Sequence, residues 1–132
     1  MKIYLDSSAL VKLVRREAES GPLRRFLRRH RDDGRVTSAL ARVEVVRAVA
    51  GGGPAAVAHA RRQLARVDQI NLDRELLDAA ATFAPGSVLR SLDAIHLASA
   101  RAVGAELRTV VTYDQHMRAA AGALGLAVDA PT

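Results

Sequence analysis

The chain lacks several things, and each absence narrows what it can do. It has no cysteine, which excludes structural disulfides and thiolate metal sites and suits a reducing compartment. It has no tryptophan and only two tyrosines and two phenylalanines, too few for a broad platform on which bases stack. No apolar run approaches the ~20 residues of a membrane span. A strand-like segment begins almost at residue 1, leaving no room for a signal peptide, so the expectation is a soluble, cytoplasmic protein. Lysine is scarce as well. Of 20 basic residues only Lys2 and Lys12 are lysine, which leaves 18 arginines. Internal repeats and low-complexity tails are absent too.

What is present suits one domain over 1–132, long enough to bury a core without staples. Hydrophobic residues make up 49% of the chain, which excludes a disordered class. The formal net charge is +6, carried by arginine, the better fork for phosphate. That balance favours a polyanionic partner such as nucleic acid, although solvated helix faces account for it equally.

Hydrophobic periodicity alternates between short β-rich runs and amphipathic segments. "KIYL" (2–5), "RVTS" (35–38), "VDQINL" (67–72), "RTVVT" (108–112) and "LAVD" (126–129) read as strands. Helices are expected over 8–19, 20–31, 39–50, 54–66, 74–83, 91–104 and 114–125, with a loop over 84–90. Ser7 or Ser8 suits the N-cap of the first helix, Asp73 caps the fifth, and Ser91 lies near the cap of the sixth. Strands and helices in alternation define an α/β fold with a mainly parallel sheet.

Open sheets of this kind place their working site beyond the carboxyl ends of the strands. Asp6 ends the first strand, Asp114 follows the fourth, Asp93 lies in the first turn of the helix at 91, and Glu44 lies on the helix after the second strand. Carboxylates gathered in one pocket repel one another unless protonated or joined by a cation. Oxygen ligands alone select a hard ion, Mg²⁺ or Mn²⁺, and such an ion beside a basic surface suggests phosphodiester hydrolysis. Each acid also has a plainer use. Asp6 and Asp114 are placed to cap helices, Asp93 suits a helix N-terminus, and Glu44 is spaced to pair with Arg47.

The segments "YLDSSALVK", "SALARVEVVRA", "LRSLDAIHLASA" and "VVTYDQHMRAAAGALGL" occur in the order seen in PIN-domain ribonucleases, and the chain resembles the VapC-like toxins of toxin–antitoxin modules. The resemblance spans roughly residues 2–128. It implies a three-layer α/β/α domain and a metal-dependent endoribonuclease. It also implies that Asp6, Glu44, Asp93 and Asp114 bind Mg²⁺ or Mn²⁺, with Asp6 and Asp93 the firmest ligands and Ser7 and Thr112 orienting groups behind them. A cognate antitoxin that blocks the site and a homodimer follow from the same resemblance. The Leu23/Phe26/Leu27 stripe then serves either a partner groove or the core. His96 is expected to be a satisfied helical histidine rather than a general base. Tyr113 is placed to stack on a base, with RNA held mainly through phosphates and shape.

Two rival functions remain. A non-catalytic nucleic-acid-binding domain would use the arginine faces and keep the acids as caps. A phosphoacceptor or phosphatase domain with Asp6 as nucleophile would need a second acid two residues on and a lysine after a later strand. Ser8 stands at the first position, and neither lysine meets the second.

Overall fold

In the computed structural model, which describes residues 1–83 and 89–132, strand β1 (Lys2–Leu5) lies at the centre of a five-stranded sheet. The chain continues through α1 (Ser7–Val14), α2 (Ser20–Arg29), β2 (Gly34–Ser38), α3 (Ala41–Val49), α4 (Pro54–Leu64) and β3 (Asp68–Ile70). It then runs through α5 (Arg74–Ala81), α6 (Ser91–Ala102), β4 (Leu107–Val111), α7 (Gln115–Ala123) and β5 (Val128–Asp129). Every strand pair is parallel, in the order β3–β2–β1–β4–β5. From β1 the chain first winds outward to β2 and β3, then crosses to β4 on the opposite side of β1. The reversal opens a crevice between the carboxyl ends of β1 and β4, where ligands bind in doubly wound sheets.

The alternation of β1 side chains creates the layers. Ile3 and Leu5 join the core formed with α1 to α4, while Tyr4 turns to the opposite face with Val36, Val110 and Ala100 of α6. Further clusters join α5 to α6 and α6 to α7 on that second face. The result is the expected three-layer α/β/α arrangement. Leu5, Leu10 and Leu23 are almost wholly buried, and each such side chain contributes about 1.5–3 kcal/mol. Among the described residues no helix is long and apolar enough to cross a membrane.

The first helix differs most from expectation. It ends at Val14 rather than near residue 19, because Arg15 turns to extended backbone. The buried Ser20 hydroxyl donates to the Arg15 carbonyl at 3.2 Å and accepts from the Glu17 amide at 2.9 Å, closing the turn. Lys12 pairs with Glu17 and Glu19 and draws the acidic segment back onto α1. The Leu23/Phe26/Leu27 stripe is core and not a partner groove: all three residues are buried in the cluster under α1, α3 and α4. The third strand is shorter than the expected 67–72, since Asp73 already caps α5 by accepting from the Leu76 amide. The last strand is shorter too. Gly125, at φ 77°, ends α7, and the Leu126 amide bonds back to the Ala121 carbonyl at 3.0 Å. Most of the loop expected over 84–90 lies outside the described residues, which resume at Leu89.

At the amino-terminal ends of the central strands, Asp33 gathers the Met1 amino group, His30 and Arg108. The Arg108 guanidinium is the main cause that holds the Asp33 carboxyl below its ordinary 3.8. A depressed carboxyl contributes stability that is complete above the unfolded value of 3.8 and lost as pH falls through the folded one. Asp33→Asn should therefore lower the melting temperature at neutral pH, and the difference should shrink as pH falls below 3.8 through the folded value in melts run across the acid range. An unchanged difference at low pH would contradict this.

Candidate active site

Asp6 holds the centre of the crevice. Its backbone is extended (ψ 173°), so it closes β1 and caps α1. Of the expected caps, Ser7, Ser8 and Asp6, the structure gives the role to Asp6 and makes both serines the first turn of the helix. Oδ1 accepts from the Ser8 amide at 2.6 Å, the Ser8 hydroxyl at 2.5 Å and the Ala9 amide at 3.2 Å. Oδ2 accepts from Thr112 Oγ1 at 2.5 Å. Burial pushes the Asp6 carboxyl above its ordinary 3.8, against the opposing pull of His96 and of these hydrogen bonds.

Ser8 and Thr112 stitch the two sides of the crevice together. Ser8 Oγ accepts from the Tyr113 amide at 3.0 Å, and Thr112 Oγ1 accepts from the Asp114 amide at 3.2 Å. Asp114 caps α7 through Oδ1, which accepts from the Met117 amide at 3.0 Å. Both aspartates thus cap a helix with Oδ1 and direct Oδ2 elsewhere, so the plain use and a site role do not compete for the same oxygen.

Glu44 reaches the crevice from α3. Its expected partner Arg47 forms no ion pair with it among the described residues; instead Oε1 accepts from Ser7 Oγ at 2.8 Å and faces His96 Nε2 at 2.6 Å. Burial raises its carboxyl, but the bonds from His96 and Ser7, with the electrostatic pull of His96 and Arg90, outweigh that and hold it below 4.5. Ser7 therefore steadies Glu44, while Thr112 steadies Asp6.

Asp93 stands on the first turn of α6. The helix N-cap is Arg90, which makes no side-chain cap bond, with Ser91 one residue inside. Arg90 was not singled out in the sequence, and it is the most informative neighbour of the acids. Its Nε lies 3.4 Å from Asp93 Oδ2 and its Nη2 lies 3.7 Å from Asp114 Oδ2. Its position three residues before Asp93 was the available signal. The guanidinium is 75% exposed, so these pairs are weak and readily exchanged.

The acids thus fall into two halves: Asp6 and Glu44 joined through Ser7 and Ser8, and Asp93 and Asp114 joined through Arg90. Among the described residues no three Asp, Glu or His side chains lie close enough together to hold one ion. The donor chemistry nonetheless fits a hard cation. The acids offer oxygen alone, Asp6 is a desolvated carboxyl, Glu44 Oε2 accepts no hydrogen bond among the described residues, and a positive charge already answers three of the four acids. Tyr113 is less free for stacking than its sequence position suggested. Its hydroxyl donates to the Pro131 carbonyl at 2.9 Å, and Lys12 Nζ sits 4.7 Å from the ring centre. Burial, then the nearby Glu19 charge, pushes its phenol up to about 12.

A doubly wound sheet with acids at its switch point defines a class, and the comparison with known proteins agrees: the PIN domain model matches residues 3–123, and the chain belongs to that family. Within the family it is similar to VapC ribonucleases of Mycobacterium tuberculosis. Ribonuclease VapC46 is 53% identical over 131 residues, covering 98% of both chains. Ribonuclease VapC35 is 45% identical and Ribonuclease VapC47 39% identical, each covering 98% of this chain and 96% of the relative. Among solved structures, Mycobacterium tuberculosis VapC20, described as a sarcin–ricin loop cleaving toxin, superposes with a TM-score of 0.72. The alignment covers 89% of this chain and 94% of that one at 23% identity, a likeness of fold.

Proposed function

We propose that the protein is the toxin of a toxin–antitoxin pair, an endoribonuclease that hydrolyses RNA phosphodiesters with Mg²⁺ or Mn²⁺. The observation that carries this reading is that acids from four separate elements line the sheet's switch point, with Arg90 the charge that answers Asp93, Asp114 and Glu44. Asp6, Glu44, Asp93 and Asp114 would hold the ion and take over the charge that Arg90 now balances. The chemistry such an ion supplies is polarisation of the phosphodiester and acidification of water.

The protein's own groups prepare that site. Thr112 and Ser8 hold the Asp6 carboxylate across the crevice, and Ser7 and His96 hold that of Glu44. Arginines exposed on the α2 surface, Arg24, Arg25, Arg28 and Arg29, suit phosphate contacts, in keeping with the scarcity of aromatic rings. The same reading assigns a cognate antitoxin that covers the acids, a homodimer, one domain over 1–132 and a cytoplasmic location.

A non-catalytic nucleic-acid-binding domain draws support from the capping by Asp6 and Asp114. One experiment separates the two readings. RNA incubated with nuclease-free protein should be cut in Mg²⁺ or Mn²⁺ and left whole in EDTA. Salt-sensitive binding without metal-dependent cutting would instead support the binding domain.

A further inference from the structure

Glu44 is held by a chain of side chains that starts in the middle of the sheet. Tyr4 is wholly buried on the α6 face of β1, and its hydroxyl lies 2.7 Å from His96 Nδ1. The other ring nitrogen, Nε2, faces Glu44 Oε1 at 2.6 Å. Glu44 Oε1 is a carboxylate oxygen and only accepts, so the imidazole carries a proton on Nε2, whichever way the bond between Tyr4 and Nδ1 runs. The Tyr4 and His96 rings meet edge to face, 6.0 Å apart at 79°, so the imidazole plane is set by packing as well as by hydrogen bonding. Ser7 Oγ donates to the same oxygen at 2.8 Å. Both bonds fall on Oε1, and Oε2 receives none among the described residues.

We infer that His96 is a positioning residue: anchored by Tyr4, it claims Oε1 of Glu44 and so presents Oε2 to the cation. The inference rests on the reading of Glu44 as a cation ligand. It requires no proton transfer by His96, whose two ring nitrogens are both engaged. A satisfied core histidine would need a partner of any kind. Here the partner is the carboxylate of another element, 52 residues away in sequence.

The test is Mn²⁺ affinity of the full chain, measured by calorimetry, with the fold checked by circular dichroism. In His96→Gln the side-chain amide reaches about as far as Nε2, so it can still donate to Glu44. In His96→Asn it reaches only about as far as Nδ1 and cannot. The expected result is affinity within about 3-fold of wild type for the Gln variant and a loss of about 10–100-fold for the Asn variant, the usual effect of removing a group behind a metal ligand. Glu44→Gln should lose at least as much. If the Asn variant fails to fold, Tyr4→Phe replaces it: this change keeps the packing but frees the imidazole, and should weaken Mn²⁺ by about 3–10-fold. Equal affinity in the Gln and Asn variants, or wild-type affinity in Tyr4→Phe, overturns the inference if Glu44→Gln is weakened. Unchanged affinity in Glu44→Gln overturns the role of Glu44 itself, and the inference with it.

Discussion

Asp6→Asn is expected to abolish RNA cleavage, with a loss of at least about 100-fold, in a protein that melts no lower than its parent in EDTA. The two halves of that result have separate causes. Asparagine keeps Oδ1, and with it the bonds from Ser8 and Ala9 that cap α1. It removes the negative charge that a hard cation would need. The charge is also a burden to the metal-free fold, because burial raises the Asp6 carboxyl above 3.8. A raised carboxyl means that the folded state holds its proton more tightly, so this group's contribution falls as pH climbs from 3.8 through the folded value. The melting temperature of Asp6→Asn should therefore gain on the parent over that interval and keep the gain at neutral pH. Asp93→Asn should lose cleavage to the same degree. Its half-buried carboxylate is already paired with the exposed Arg90, so no comparable gain in melting temperature is expected. An Asp93→Asn protein that cuts RNA like wild type would remove Asp93 from the site.

Saturating Mn²⁺ or Mg²⁺ is expected to raise the melting temperature by about 10 °C, and chelation to reverse it. A ligand at 100 times its dissociation constant that binds the folded state alone contributes about 2.7 kcal/mol. In a chain of 132 residues each kcal/mol moves the midpoint by about 4 °C. The shift has a structural origin. Asp6 is a buried carboxyl whose ionisation is costly, and Asp93 and Asp114 are balanced by one exposed guanidinium, so a divalent ion relieves electrostatic strain in the folded state. Asp6→Asn should show little of the shift. A melting temperature insensitive to both ions, in protein that still cuts RNA, would exclude the four acids as the place where the ion acts.

Much of the fold was legible because its signals are local. Short β-branched runs alternate with amphipathic helices, and a parallel sheet is the arrangement that buries both. The helix ends were less legible where they depend on side chains from elsewhere in the chain. Nothing in the periodicity of 8–19 shows that Ser20 will fold back onto Arg15 and Glu17 and stop α1 at Val14. The Leu23/Phe26/Leu27 stripe left two uses open, since an apolar face looks the same whether it meets a partner or its own core.

The candidate site divides along the same line. The sequence by itself determined which acids stand at strand ends and helix starts, because those positions follow from local pattern, and the PIN-like order of the motifs follows from it too. Only the tertiary structure decided what each acid touches. Glu44 was spaced to meet Arg47 one turn away, yet it meets His96, which is held in turn by Tyr4. Asp6 was either a cap or a ligand, and its two oxygens divide the roles, Oδ1 to α1 and Oδ2 toward Thr112 and the crevice. Those contacts join β1, α1, α3, α6 and β4 across separations of up to 106 residues. Propensity and periodicity act within a few residues along the chain. Pairings at that distance exist only once the sheet reverses its winding beside β1 and brings those elements together at the carboxyl ends of its strands.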